Sequence, residues 1–250
     1  MINNLNLDII NYLANNFLSF DIIIYLLQTC KYLHVNIYII DLYYIDEKYL
    51  DNLNDKILLQ SKYLNVRYLN AEYNEKIMNI NHLTHIEQLC AGFRCGLNDA
   101  GISDINLKVL NARGNSKITN INHMTKLKSL NASSDKCGLD DFGISKINLK
   151  ILNVSNNSKI SNICHMTKLE KLNAGFGSGI NDFSISNINL KVLNVRNNPN
   201  ITKICHMSNL EKINASDDCG INDFSISNIN LKILIARNNT KITNVDHMTN

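Results

Sequence analysis

The chain has no tryptophan and a single proline, Pro199, among its 250 residues. One proline is too few for proline-rich linkers or polyproline tracts. Long apolar runs are missing too. The most apolar stretches, around Ile22 to Leu27 and Ile37 to Leu42, fall far short of the ~20 residues that a bilayer-crossing helix requires, so no membrane association is expected. The first residues, Met-Ile-Asn-Asn-Leu-Asn, lack the basic start, apolar stretch and small-residue cleavage site of a secretory leader, and an intracellular, cytoplasmic location is the expectation. An excess of one charge is also lacking. The chain carries 25 Lys and Arg against 22 Asp and Glu, a net charge of +3, which does not make a phosphate-tracking surface the default reading. No nucleic-acid partner is expected. The seven cysteines form no C-x-x-C pair and are odd in number, which suits reduced thiols better than a disulfide framework or a zinc site. Neither a metal nor a cofactor is expected.

What is abundant is asparagine, 43 residues, and it is not spread at random. The chain changes style near residue 62. All ten glycines stand at or after Gly92, and residues 1–62 are net acidic, with 4 basic and 7 acidic groups. In that first part apolar residues recur at helical spacing, as in Ile9, Ile10, Leu13 and Phe17 and again in Ile22, Ile23, Leu26, Leu27 and Cys30. Two short helices are expected there, the second capped by Ser19 or Asp21, with a third starting near Lys31. Leu50, Leu53, Ile57 and Leu58 predict a further helix within residues 46–63.

From residue 66 onward the sequence copies itself. A phrase of the type L-x-x-L-N-A begins at Val66, Ile86, Leu107, Leu127, Leu149, Leu169, Leu190, Leu210 and Leu231, with steps of 20 to 22 residues. The stretch Leu107-Lys-Val-Leu110-Asn-Ala112-Arg-Gly-Asn115-Ser-Lys-Ile118 fits the frame of the leucine-rich repeat, with Ala or Val replacing the third Leu. The expected fold is α/β: a leucine-rich-repeat solenoid over residues 64–250 with a parallel concave β-sheet of about nine strands, a linking or capping helix at 46–63, and a small helical domain at 1–45. One short strand cannot bury its apolar side alone, so stacked coils must share one core. Within L-N-A, Leu110 and Ala112 point inward and Asn111 outward. The small Ala or Val leaves room that Phe142, Phe183 and Phe224 are expected to fill from the opposite wall.

A second rhythm of 41 or 42 residues runs through His82, His123, His165, His206 and His247, so coils alternate between two types. In one type Asn115, Asn157, Asn198 and Asn239 are expected to turn inward and satisfy turn backbone groups that water cannot reach. The other type has Arg94, Asp135, Gly177 and Asp218 there, followed by Gly96, Gly138, Gly179 or Gly220. A glycine-dependent turn and weaker ladder bonding are expected in those coils. Neighbours in the His column, two strands apart, are separated by ~10 Å, too far to share a metal that sits ~2.1 Å from each ligand. A structural role between an inward Ile and an inward Met follows. No nucleophile motif, phosphate-binding loop or H-E-x-x-H is present, and an enzyme is the least favoured class.

Residues 5–34, L-N-L-D-I-I-N-Y-L-A-N-N-F-L-S-F-D-I-I-I-Y-L-L-Q-T-C-K-Y-L-H, resemble the F-box. Leu5, Asp8, Ile9, Leu13, Asp21, Ile22, Cys30, Lys31 and Leu33 fall on matching positions, Asn6 stands where the family has Pro, and the Asp21 to Cys30 interval is one residue longer than the commonest form. The order F-box then leucine-rich repeats resembles the substrate receptors of Skp–cullin–F-box ubiquitin ligases. The I-x-H-M-T and D-F-S-I-S-N-I-N-L-K phrases are similar to F-box/leucine-rich-repeat proteins of large amoeba-infecting viruses of the mimivirus group, which would place the chain in a host cytoplasm. The resemblance implies that Leu5, Asn6, Ile9, Leu13, Ile22, Cys30 and Lys31 dock a Skp-type adaptor and that the repeats hold an unknown target protein. The other reading is a stand-alone interaction module whose first helices only cap the core. On the concave face, Phe93, Arg113, Phe176, Arg196 and Arg237 are the residue types that anchor interfaces. Self-association through the strand edge near Leu234 and Ile235 is a further expectation.

Overall fold

The computed structural model describes residues 22–23, 39–42 and 51–249. Two compact units divide the chain, Met1–Leu107 and Lys108–Asn250. Both are built from the same coil: a three-residue strand, a tight turn, an extended descent with one further turn, and a return to the next strand.

In the first unit β1 (Asp41–Leu42), β2 (Tyr68–Asn70) and β3 (Gln88–Cys90) pair in parallel and in chain order. β1 precedes the nine strands expected from the repeats, and it belongs to the segment, residues 1–45, read as F-box-like. A single helical turn α1 (Asp55–Leu58) and a 3-10 turn (Ser61–Tyr63) lie between β1 and β2. Asn54 caps α1 by accepting from the Ile57 N–H at 3.1 Å, which satisfies a first-turn amide that has no partner within the helix. Leu53, Leu58 and Tyr63 are buried, so this stretch seals the core beside β2. Ile22 and Ile23 are helical, Ile22 exposed and Ile23 buried. Leu5, Asn6, Ile9, Leu13, Cys30, Lys31 and the start of the expected third helix lie outside the described residues.

The second unit holds β4 (Val109–Asn111), β5 (Ser129–Asn131), β6 (Ile151–Asn153), β7 (Lys171–Asn173), β8 (Val192–Asn194), β9 (Lys212–Asn214) and β10 (Ile233–Ile235). Each pairs in parallel with the next, and the central residues Leu110, Leu130, Leu152, Leu172, Leu193, Ile213 and Leu234 are in register. Strand alternation explains the pattern: the central residue points inward and its two neighbours outward. All of these central residues but Leu234 are buried, as are Ala112, Ala132, Val154, Ala174, Val195 and Ala215. Burying each Leu or Ile contributes about 1.5–3 kcal/mol, and no coil does so without its neighbours.

The opposite wall is not built from phenylalanine. Phe142, Phe183 and Phe224 are 74%, 74% and 80% exposed, which corrects the expectation that they fill the core. In the coil that carries α2 (Asp223–Ile226) the reason is visible. Asn222 and Ser225 form a reciprocal capping box, which directs Ser225 and Ile226 inward and leaves Phe224 on the outer side of a single turn. Ile144, Ile185 and Ile226, each fully buried, take the inward place with Met124, Met166 and Met207.

The inward asparagines are as expected. Asn115, Asn157, Asn198 and Asn239 are buried, and Asn74 joins them. Asn198 Nδ2 donates to the Ala174 and Ile180 carbonyls at 2.8 and 3.1 Å, and its Oδ1 accepts from the Asn200 N–H at 2.9 Å. Asn157 and Asn239 repeat this arrangement. In the alternate coils Arg94, Asp135, Gly177 and Asp218 are exposed, and side-chain bonding to the coil before is weaker there, as expected. A buried Cys or Ser one or two residues further on bonds within its own coil instead: Ser178 Oγ donates to the Ala174 carbonyl at 3.0 Å and Cys219 Sγ to that of Ala215 at 3.1 Å.

Candidate functional site

The sheet's outward face in the second unit is the broadest regular surface the repeats create. The expected anchor residues Arg113, Phe176, Arg196 and Arg237 are all exposed there, and two of them meet. The Arg196 guanidinium lies 5.1 Å from the Phe176 ring centroid, within cation–π range. The same guanidinium donates from Nε to Asp217 Oδ2 at 2.5 Å, and Asn238 Nδ2 donates to Asp217 Oδ1 at 3.1 Å. Four consecutive coils thus contribute to one cluster that holds the arginine in place. Those bonds to the charged form, first that of Arg196 and then that of Asn238, keep the Asp217 carboxyl below the usual carboxylate range. Arg113 and Arg237 stand in the same column of other coils and do not join this group. Phe93, in the first unit, is half-buried and stacks with Tyr73 at 6.4 Å between ring centroids.

Phe176 and Tyr73 share an unusual backbone. Both have positive φ, 53° and 60°, a region disfavoured for bulky residues. The turn itself demands it, since Gly114, Asn156, Asn197 and Asn238 occupy the corresponding place in other coils with φ from 55° to 64°. Most coils use the residue types that tolerate it. Aromatic rings are thus kept at a costly backbone position, one beneath an arginine and one against another ring.

At the strand starts Glu170 Oε1 and Oε2 take ammonium groups from Lys150 at 3.4 Å and Lys191 at 3.1 Å, and Glu211 pairs with Lys232 at 3.1 Å. The lysine bonds hold Glu170 below its ordinary pKa. The outward asparagines differ from the inward ones. Asn131, Asn153, Asn173, Asn194 and Asn214 each accept, through Oδ1, the N–H two residues on, at 3.0–3.3 Å. The motif reading missed Asp217 and Asn238 as the groups that fix Arg196; an Asp one coil after an Arg was the available signal.

The His column belongs to the framework. His165, His206 and His247 bond through Nε2 to the carbonyls of Ile144, Ile185 and Ile226 at 3.3, 3.1 and 2.9 Å, and His165 and His206 stand between a buried Ile and a buried Met. His82 Nε2 is buried with no hydrogen-bond partner among the described residues, and His82 lines a groove of about 440 Å³ with Asp55, Leu59, Asn79 and Asn81. Among the described residues no group of three His, Cys, Asp or Glu is placed to hold a metal, and no helix is long and apolar enough to cross a membrane. The six described cysteines form no disulfide among the described residues.

No family model matches the chain, and no curated protein does. A solved structure does: an internalin of Listeria monocytogenes, with TM-score 0.51 and 20% identity over 80% of this chain and 67% of that one. At that identity the likeness concerns the fold alone. Coil, register and neighbour agree that the chain is a leucine-rich-repeat solenoid.

Proposed function

We propose that the chain is a protein-binding solenoid that holds a target on the open face of its sheet, and that residues 1–45 dock a Skp-type adaptor so that the target is brought to a ubiquitin ligase. The observation that carries the first half is the Phe176–Arg196–Asp217 cluster. An aromatic ring and an ordered arginine on an otherwise regular face are the side chains from which protein hot spots are made, and fixing the arginine beforehand lowers the entropy lost on binding. The second half rests on the order of motifs in residues 5–34, where the chain supplies only docking and its partners the chemistry. A stand-alone module with a capping segment is favoured by one observation: residues 51–63 already behave as a cap, with Asn74 Nδ2 donating to the Leu53 carbonyl at 3.1 Å and Asp55 Oδ1 accepting from the Met78 and Asn79 N–H groups.

One experiment separates these readings. Full-length chain, its Phe176→Ala/Arg196→Ala variant and its Ile9→Asp variant are used to recover associated proteins from cells. A target is expected to disappear from the double variant while a Skp-type adaptor remains, and Ile9→Asp is expected to do the reverse. Recovery of the adaptor by the Ile9→Asp chain contradicts docking through the F-box-like segment. Targets unchanged by the double variant contradict the open face.

A further inference from the structure

The modest net charge of the whole chain conceals a strong sorting. Residues 108–250 carry 18 basic and 10 acidic groups, a net charge of +8. Three columns of the second unit's sheet account for nearly all of it. At the strand starts stand Lys108, Lys128, Lys150, Lys191 and Lys232, with Glu170 and Glu211 between them. Before the inward Leu or Ile, Lys171 and Lys212 are exposed on the outward face. After the inward Ala or Val come Arg113, Arg196 and Arg237, with Asp217 beside Arg196. That is ten cations against three carboxylates, net +7, and the face keeps +5 when Asp135 and Asp218 of the adjoining turns are counted. Among the described residues Lys171, Lys212 and Arg237 form no ion pair.

Two further features say what kind of anion fits. The amides of Asn131, Asn153, Asn173, Asn194 and Asn214 are oriented by the N–H groups that their oxygens accept, which turns every NH2 outward with no acceptor among the described residues. The result is a row of donors at ~4.8 Å intervals along the stacking direction. In the column of Lys171 and Lys212, apolar side chains occupy the alternate coils: Val109, Ile151, Val192 and Ile233, with Ile151 40% and Ile233 46% exposed. Their repeat, two strands or ~10 Å, is close to the ~9.3 Å rise of three residues in a polyproline II chain.

Resting on the protein-binding reading above, we propose that this face takes an acidic, extended segment of its partner. Apolar residues at every third position would meet Val109, Ile151, Val192 and Ile233. The carboxylates between them would meet Lys171 and Lys212, and the main-chain carbonyls the asparagine amides. A single-stranded nucleic acid would require aromatic platforms along the row for its bases, and these three columns contain no aromatic residue.

The test measures fluorescence anisotropy of three labelled probes on the full chain: a peptide repeating Val-Glu-Glu, its Val-Gln-Gln counterpart, and a deoxythymidine oligonucleotide. The acidic peptide is expected to bind at least about tenfold more tightly than the glutamine peptide, and less tightly as salt is added. Lys171→Glu/Lys212→Glu is expected to weaken it by roughly tenfold or more. Lys146→Glu/Lys203→Glu, an equal charge change away from the face, is expected to leave affinity unchanged. Equal binding of the two peptides, indifference to the Lys171/Lys212 reversal, or tighter binding of the oligonucleotide would overturn the proposal. A chain that still recovers its target through Phe176 and Arg196 but does not prefer the acidic peptide loses this assignment alone. One that fails both experiments loses the protein-binding reading too.

Discussion

Asparagines 194 and 198 stand four residues apart in one coil and are expected to respond very differently to the same substitution. Asn198 is fully buried, with Nδ2 on the Ala174 and Ile180 carbonyls and Oδ1 on the Asn200 N–H. In Asn198→Ala the Ala174 carbonyl keeps the Ser178 hydroxyl, but the Ile180 carbonyl and the Asn200 N–H lose their amide partner. The buried Ile180 carbonyl left unpaired costs about 1–3 kcal/mol, while the N–H of the exposed Asn200 can turn to water, so with the lost side-chain packing the loss is roughly 2–3 kcal/mol. For a chain of this size that corresponds to a Tm lower by about 4–12 °C. The Asn194 side chain bonds, among the described residues, only to the Arg196 N–H and the residue is half-exposed. Water can replace its oxygen, and Asn194→Ala is expected to cost under about 1 kcal/mol. Thermal unfolding followed by far-ultraviolet circular dichroism compares the two. A scanning calorimeter checks cooperativity, because repeat arrays can lose coils singly. Equal shifts for the two variants, or a smaller shift for Asn198→Ala, would refute the division of the asparagines into inward braces and outward donors.

The simultaneous replacement Phe142→Ser/Phe183→Ser/Phe224→Ser is expected to change Tm by no more than about 3 °C, since exposed rings contribute little to the core; a collapse of the fold in calorimetry would put those rings back inside. Gly179→Ala places a Cβ 2.6 Å from both the Ser158 and Ile160 carbonyls and is expected to cost about 1–3 kcal/mol or more. Gly177→Ala, at a positive φ with open space around it, is expected to cost only about 1 kcal/mol, and urea midpoints rank the two. Asp223 is held below the ordinary carboxylate pKa by the Thr243 hydroxyl and the Asn244 and Thr243 N–H groups. A depressed carboxylate stabilises the fold above its unfolded pKa of about 4 and loses that contribution as pH falls further. Asp223→Asn is therefore expected to lower stability at pH 7 and to flatten the acid limb of a pH–Tm curve. Cys205 is exposed, whereas burial raises the thiol pKa of Cys137 and Cys219, so brief maleimide labelling read by mass spectrometry is expected to mark Cys205 and spare the other two.

The strands were legible in the sequence because a period of 20 to 22 residues leaves little freedom: every L-x-x-L-N-A begins or surrounds one, and the register of Leu110 on Leu130 follows from the repeat alone. The inward role of Asn198 was legible for the same reason. Phe183 was misread because hydrophobicity names what prefers to be buried but not which way a single turn faces, and Ser184 and Ile185 occupy the inward directions. The bonds of Ser178 and Cys219 within their own coils were missed because these residues are displaced along the chain from the asparagine position. β1 escaped since Asp41–Leu42 precedes the repeat and matches its phrase only at the two apolar positions, Ile39 and Leu42. The candidate site was half visible: residue types pointed to Phe176 and Arg196, but their 5.1 Å approach depends on which coils become neighbours.

The two-coil rhythm has a physical origin in the turns. A Cβ at Gly138, Gly179 or Gly220 would stand 2.4–2.6 Å from the carbonyls of Ile118, Ile160 or Ile201 in the coil before. None of these three glycines has a positive φ, so close approach, rather than left-handed backbone, is what excludes a side chain. The approach is drawn tight by a bond. The N–H groups of Gly138, Gly179 and Gly220 donate to the main-chain carbonyls of Asn115, Asn157 and Asn198 at 2.8–3.1 Å. Asn157 and Asn198 in turn reach back with their side-chain amides to the carbonyls of Ala132 and Ala174 in the coil before them. One coil supplies the asparagine and the next supplies the glycine, so neither turn can be exchanged for the other. The unit of structure that repeats is therefore the pair, and a residue type can recur every second coil on the outer face, as valine or isoleucine does between Lys171 and Lys212, without disturbing the core that the pairs share.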